Sequence, residues 1–438
     1  MANIGELERR YVLRSWAVQN KNTYEEIVGG ERCWFWNREG KKYLDFSSQL
    51  INTNIGHQHP KVIAAIKEQA EKLCYIAPFY ASEPRARLAE LIAQHTPGDL
   101  CKVLFTLGGA ESNDNAIKIA RQYTGRFKIL SRYRSYHGAT YGAITLTGDP
   151  RRPPVEPGIP GVVHVFEPYC YRCSFGQSYP GCGLECAEHV REVMLYEDPA
   201  TIAAFFVEPV TGTNGVFVPP PEYLPRIREI CDEFGVLLVA DEVMTGWGRT
   251  GKWFGVDNWN VIPDMMTMAK GITQGYIPLG AVVVNEKIGR YFDDHMLWCG
   301  LTYSGHPLAC AAGVATVQIY SEEKLIDHAE QLGHKLKQRL QQIKEKHPAV
   351  GDVRSIGLFA AIELVKDRET KEPLAPWNGP DPGVIGQINN CLKEKGVYCY
   401  LRWNYMFIAP PLSINESELE YGLSAIDECL ELADRACG

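Results

Sequence analysis

The stretch that most constrains this chain is Val236-Leu237-Leu238-Val239-Ala240-Asp241-Glu242-Val243, a continuous apolar run that ends in two carboxylates. A run without polar alternation predicts a strand buried on both faces, as inside a parallel sheet. A second short run, Met265-Met266-Thr267-Met268-Ala269, ends in Lys270 and Gly271. Upstream, a helix expected after Pro219, Pro220 and Pro221 sets Leu224, Ile227, Ile230, Cys231 and Phe234 on one face and stops at Gly235. With a strand expected from Ile202 to Glu208, this makes a strand–helix–strand crossover. In an open α/β sheet the ligand crevice lies beyond the carboxyl ends of the strands. Glu208, Asp241 and Lys270 are therefore expected in one crevice.

Asp241 and Lys270 lie 29 residues apart. A carboxylate and an amine at neighbouring strand ends can be a partly buried ion pair. They can also be a pyridoxal phosphate site, in which the lysine forms a Schiff base and the aspartate pairs with the protonated pyridine nitrogen. That reading requires a lysine that sheds its proton, which desolvation and nearby cations promote. A phosphate would need its own cradle. Gly108-Gly109-Ala110 follows the strand expected at Val103 to Thr106 and opens a helix with Ala116, Ile119, Ala120 and Tyr123 inward, closed by Gly125. Such a turn presents free backbone N–H groups at the positive end of the helix dipole. The spacing is not GxGxxG, so the dinucleotide fingerprint is absent.

Six motifs, in order along the chain, carry a resemblance to one family. They are LGGAESND from Leu107, SYHG from Ser135, FFVEPV around Glu208, ADEVMTGWGRTG from Ala240, MAKG followed by IPLGAV, and GLTYSGHPLACAAG from Gly300. Together they resemble the class III, or omega, aminotransferases over nearly the whole chain. The resemblance implies an α/β chain of pyridoxal phosphate-dependent transferase fold type I, with a mostly parallel central sheet and a smaller α+β domain. The expected division is an N-terminal segment, 1–60, packing with the small domain, a large cofactor domain, 61–320, and the small domain, 321–438.

Residue by residue, the resemblance assigns Lys270 to the Schiff base and to moving the α-proton, and Asp241 to the pyridine nitrogen. It assigns the backbone of Gly109 and Ala110 to the phosphate, Tyr136 to stacking on the ring, and Val243 to packing behind it. Ala110 supplies no hydroxyl where many relatives have a serine. Thr302 is similar to a threonine that reaches the phosphate of the other subunit, which implies a homodimer with shared sites, or a tetramer built from it. The resemblance places Leu50, Phe79, Tyr80 and Tyr136 in the substrate pocket, the first three partly facing the neighbouring subunit, with ordinary core or interface packing as their plain alternative. Arg402 lies where relatives keep a guanidinium for the substrate carboxylate, with a solvated surface arginine as the plain alternative. Glu208 is expected at the cofactor and as the charge that neutralises Arg402 when no carboxylate is bound.

Met244 stands where many glutamate-using relatives have glutamine, which is similar to the pyruvate-using omega-amino acid, amine and taurine branch. The expected enzyme is a transaminase that moves an amino group from an omega-amino acid or amine to a keto acid, with pyruvate as acceptor, by a ping-pong route. An aminomutase or amino-acid epimerase on the same site is the alternative, and a non-enzymatic cofactor-binding protein is a third class.

Composition narrows the rest. The 438 residues carry 45 basic and 53 acidic side chains, a net charge of −8, which argues against a nucleic-acid partner. With Glu6, Glu8, Arg9 and Arg10 and no apolar core there, no secretory leader is expected, and no run approaches a membrane span. Fourteen scattered cysteines predict reduced thiols and a cytoplasmic protein. Four of them, Cys170, Cys173, Cys182 and Cys186, have zinc-like spacing inside a Pro- and Gly-rich stretch, 148–183, expected as an extended surface loop. Metal ligation and packed thiols both stay open there, and no metal is assigned. Arg32 to Ser48 reads as a hairpin about Gly40, a long helix is expected from Glu322, and Asn415 with Glu418 predicts a capping box.

Overall fold

A computed structural model describes residues 4–21 and 24–437; the outermost positions of the expected division, 1–3 and 438, and residues 22–23 lie outside the described residues. The centre, among the described residues, is a seven-stranded sheet. Its strands are β1 (Leu100–Thr106), β2 (Lys128–Arg132), β3 (Val162–Val165), β4 (Ile202–Val207), β5 (Leu237–Asp241), β6 (Met265–Met268) and β7 (Gly280–Asn285). Their order across the sheet is β1-β7-β6-β5-β4-β2-β3. All neighbours from β6 to β3 run parallel, and β7 is inserted antiparallel between β6 and β1. The apolar runs account for the middle of this order. Every residue of β4, β5 and β6 is buried, as expected of strands covered by helices on both faces.

Helix Tyr223–Phe234 ends at Gly235 in the left-handed conformation and leads into β5, which makes the expected crossover. Helix Gly109–Thr124 ends the same way, at Gly125. The 148–183 stretch departs from its reading as a loop, because Val162–Val165 pairs in parallel with β2 as the edge strand β3. Four residues between prolines and glycines are too few to show a period. The helix expected from Glu322 begins instead at Leu325, since Lys324 takes a left-handed φ of 50° and separates it from helix Pro307–Glu322.

Both chain ends meet beside this core. Strands Trp34–Asn37 and Lys42–Asp45 form the expected hairpin, and Val397–Tyr398 pairs in parallel with the second of them. A further sheet joins Val350–Ile356, Phe359–Leu364, Tyr405–Ile408 and Tyr400–Arg402. Asn415 and Glu418 cap the last helix, Glu416–Asp434, reciprocally. A disulfide joins Cys391 to Cys429, so the expectation of wholly reduced thiols is corrected; the two sulfurs come from facing helices 38 residues apart in sequence. The other twelve cysteines are free. Among the described residues, no helix is long and apolar enough to cross a membrane.

Candidate active site

Strands β4, β5 and β6 end at one edge of the sheet, and a cavity of about 510 Å³ opens there. Of the residues singled out in the sequence, Leu50, Gly109, Ala110, Tyr136, Glu208, Asp241, Val243 and Lys270 line it. Lys270 follows β6 with a left-handed φ of 44°, an uncommon backbone state for a long side chain. Lys270 is half-buried and lines the cavity. Burial lowers its pKa to about 8, the charges of Asp241 and Glu208 oppose that shift, and the guanidiniums of Arg151 and Arg249 add to it.

Asp241 is held in one orientation. Its Oδ2 accepts from Asn113 Nδ2 at 2.8 Å and pairs with His137 Nδ1 at 2.7 Å, while Oδ1 accepts the Val243 N–H at 3.0 Å. Asn113 is itself fixed, accepting from Thr267 Oγ1 at 2.8 Å and donating to the His137 carbonyl at 2.7 Å. His137 Nε2 is buried without a partner. Glu208 spans a bend, with Oε1 accepting from the Tyr136 N–H at 3.0 Å and Oε2 from the Gly212 N–H at 2.7 Å. Burial raises its pKa.

The glycine turn sits where β1 meets helix Gly109–Thr124, with no side-chain cap on its first N–H groups. Two close approaches shape it. A Cβ on Gly109 would lie 2.8 Å from Val243 methyl carbons, and one on Gly138 would lie 2.4 Å from the Ala110 Cβ. Uncapped N–H groups, an oriented carboxylate, an aromatic face and an enclosed amine of lowered pKa fit the phosphate, ring nitrogen, ring and aldehyde of pyridoxal phosphate.

Other expected residues stand apart. Phe79 is 84% exposed, Tyr80 is 58% exposed, and Thr302 is exposed. They share one surface region, where Tyr75 donates to the Thr302 carbonyl at 2.9 Å and packs edge-on to Tyr303. Arg402 is only partly exposed, and its Nη1 lies 3.5 Å from Asp149 Oδ2. Asp149, not Glu208, is therefore its counter-charge, because both oxygens of Glu208 are engaged by backbone N–H groups. Cys170, Cys173, Cys182 and Cys186 border one small recess as free thiols, with burial raising Cys186 to about 12. Among the described residues, no group of three or more His, Cys, Asp or Glu is arranged to hold a metal ion.

Sequence reasoning missed Asn113, His137, Asp149 and Arg151. Asn113 and His137 sit inside quoted motifs, LGGAESND and SYHG, but nothing local shows that they reach Asp241. Arg249 of the GWGRTG motif serves the fold. Fully buried, it donates to Ser48 Oγ, Asn54 Oδ1 and the carbonyls of Leu358 and Pro410.

Fold and site together define a pyridoxal phosphate-dependent transferase of fold type I. The family described as Aminotransferase class-III matches residues 15–430, and the chain belongs to it. A taurine:2-oxoglutarate aminotransferase from Bifidobacterium kashiwanohense, solved with PLP and glutamate, superposes with a TM-score of 0.95 at 43% identity, covering 99% of this chain and 98% of that one. A leucine/methionine racemase from Thermococcus litoralis is 37% identical over 97% of this chain and 95% of its own. A taurine–pyruvate aminotransferase from Bilophila wadsworthia is 34% identical over 100% and 99%.

Proposed function

We propose that this aminotransferase moves an amino group from an omega-amino acid or amine to pyruvate by a ping-pong route. The observation that carries the reading is the pair of neighbouring strand ends, with a lysine near pKa 8 beside an oriented Asp241. Bound pyridoxal phosphate supplies an aldehyde and an electron-withdrawing ring. Lys270 holds the cofactor and, once displaced, takes and returns the proton at the carbon bearing the substrate nitrogen. Asp241, kept in place by Asn113 and His137, holds a proton on the ring nitrogen. Tyr136 and Val243 hold the ring, the N–H groups of Gly109 and Ala110 the phosphate, and Arg402 a substrate carboxylate, with Glu208 bracing the Tyr136 turn.

Apolar Met244 on the cavity wall and the likeness to a taurine–pyruvate aminotransferase support pyruvate as acceptor. The exposed Phe79, Tyr80 and Thr302 belong, in this reading, to the partner's pocket in a cytoplasmic homodimer. The division into 1–60, 61–320 and 321–438 belongs to the same proposal.

Lys270→Ala should lower transamination by several orders of magnitude while cofactor still binds noncovalently. A donor panel run with pyruvate and with 2-oxoglutarate tests the acceptor, and faster turnover with 2-oxoglutarate overturns pyruvate. Likeness to the racemase favours a second reading, an isomerase, which predicts turnover of one amino acid with no keto acid added.

A further inference from the structure

Four thiols outside the active site share one recess. Cys170 and Cys173 stand on the turn after Tyr169, and Cys182 and Cys186 flank the start of helix Glu185–Tyr196. All four border a space of about 20 Å³, and all are free. That space admits about one water and no organic ligand. Among the described residues, the arrangement is not that of a metal site. What remains for neighbouring thiols is chemistry with one another.

The thiols act on each other through space. Burial raises the Cys170 thiol, and Cys182 and then Cys173 raise it further. Burial pushes Cys186 up to about 12, with Cys170, Cys182 and Cys173 adding to the effect, so Cys186 is a poor source of thiolate. It is also fixed in the first turn of its helix. Cys170 is exposed while the other three are half-buried, so a reagent from solution meets Cys170 first. Residues 176–181 between Cys173 and Cys182 are exposed, which leaves that segment room to bring Cys182 to Cys170.

The two sides of the recess are tied to different parts of the molecule. On the Cys170 side, Arg172 Nε donates to Glu363 Oε1 at 2.6 Å, on strand Phe359–Leu364, and Lys371 Nζ donates to the Tyr171 carbonyl at 2.8 Å. The Tyr169 ring stacks on Phe217 with centroids 3.8 Å apart. On the other side, helix Glu185–Tyr196 packs on helix Tyr223–Phe234, where Arg226 Nε donates to Glu188 Oε1 at 2.6 Å.

We infer that Cys170 and Cys182, 12 residues apart, are a reversible disulfide site that clasps the turn held by strand Phe359–Leu364 to the start of helix Glu185–Tyr196. The oxidant is a small-molecule disulfide. The Cys170 thiolate attacks one of its sulfurs and expels a thiolate; Cys182 then attacks the Cys170 sulfur of the mixed disulfide and expels the second. One S–S bond forms in the protein, one breaks in the reagent, and the two cysteine protons end on the two released thiols. Excess small thiol runs the exchange backward. The Cys391–Cys429 bond is shielded from the same reagents, because Cys429 is fully buried.

The test equilibrates the holoenzyme with reduced or with oxidised glutathione, alkylates it and maps the cysteines by mass spectrometry. With oxidised glutathione, Cys170 and Cys182 should resist alkylation together and yield a linked peptide, and reduced glutathione should restore both thiols. Cys170→Ser and Cys182→Ser should each abolish that peptide, while Cys173→Ser and Cys186→Ser keep it. The oxidised wild type should melt roughly 5 °C above the reduced one, and Cys182→Ser should lose that increment. A linked peptide through Cys173 or Cys186, four thiols that alkylate alike in both buffers, or stoichiometric zinc in the purified protein overturns the inference. Equal melting of the two forms with the linked peptide present overturns the clasp.

Discussion

At the scale of the residue, the site depends on one lysine held far from its ordinary state. Burial brings Lys270 from an ordinary value of 10.5 to about 8. Between those values the unfolded chain holds a proton that the folded chain has released, so the stability of the apoprotein rises with pH across that window. Below about pH 8 the whole cost is present, roughly 3 kcal/mol from the size of the shift. Wild-type apoprotein should therefore gain more thermal stability between pH 8 and 10 than Lys270→Met does, as read by calorimetry. The same titration sets reactivity, since only the free amine captures the cofactor aldehyde. The rate of cofactor capture, followed by its visible absorbance, should climb through about pH 8 and then level off. A rate still rising steeply at pH 10 would mean that the amine is not lowered.

At the scale of the element, function sits where strands stop. Strands β4, β5 and β6 place Glu208, Asp241 and Lys270 at one edge because each apolar run ends there. The loop after β2 must then fold back closely enough to bring Tyr136 and His137 over that edge. Gly138 permits this with a φ of 132°, against Ala110 at the start of helix Gly109–Thr124. Gly138→Ala should push that loop away from the phosphate turn. Backbone strain of roughly 1–3 kcal/mol would weaken cofactor affinity by about 5- to 150-fold. Titration of the apoprotein with pyridoxal phosphate measures it, and an unchanged Kd would show that the loop relaxes without moving the cradle.

At the scale of the whole molecule, one chain leaves part of the expected site on its surface. Phe79 at 84% and Tyr80 at 58% exposure, their rings packed on each other, lie with Thr302 outside the cavity. Large exposed aromatics in one region mark an interaction surface. If the proposed homodimer forms through this surface, the double variant Phe79→Asp, Tyr80→Asp should shift sedimentation toward monomer and weaken cofactor retention with it. A variant that stays dimeric with full cofactor would place the interface elsewhere.

What the sequence determined by itself was local in origin. Apolar runs without alternation marked β4, β5 and β6 and the carboxylates and lysine that end them, since burial on both faces writes itself into consecutive residues. Glycines and an Asn–Glu pair marked helix ends for the same reason, because a cap involves neighbours a few residues apart. The antiparallel insertion of β7 and the short edge strand β3 left no such trace, as strand order depends on pairing across the sheet. Asn113 and His137 reach Asp241 from 128 and 104 residues away, and Arg402 finds Asp149 rather than Glu208. The Cys391–Cys429 bond likewise needed two helices to face each other. Periodicity reports which side of an element is buried; which groups meet across a site is settled only when distant segments pack and every buried charge must find its partner.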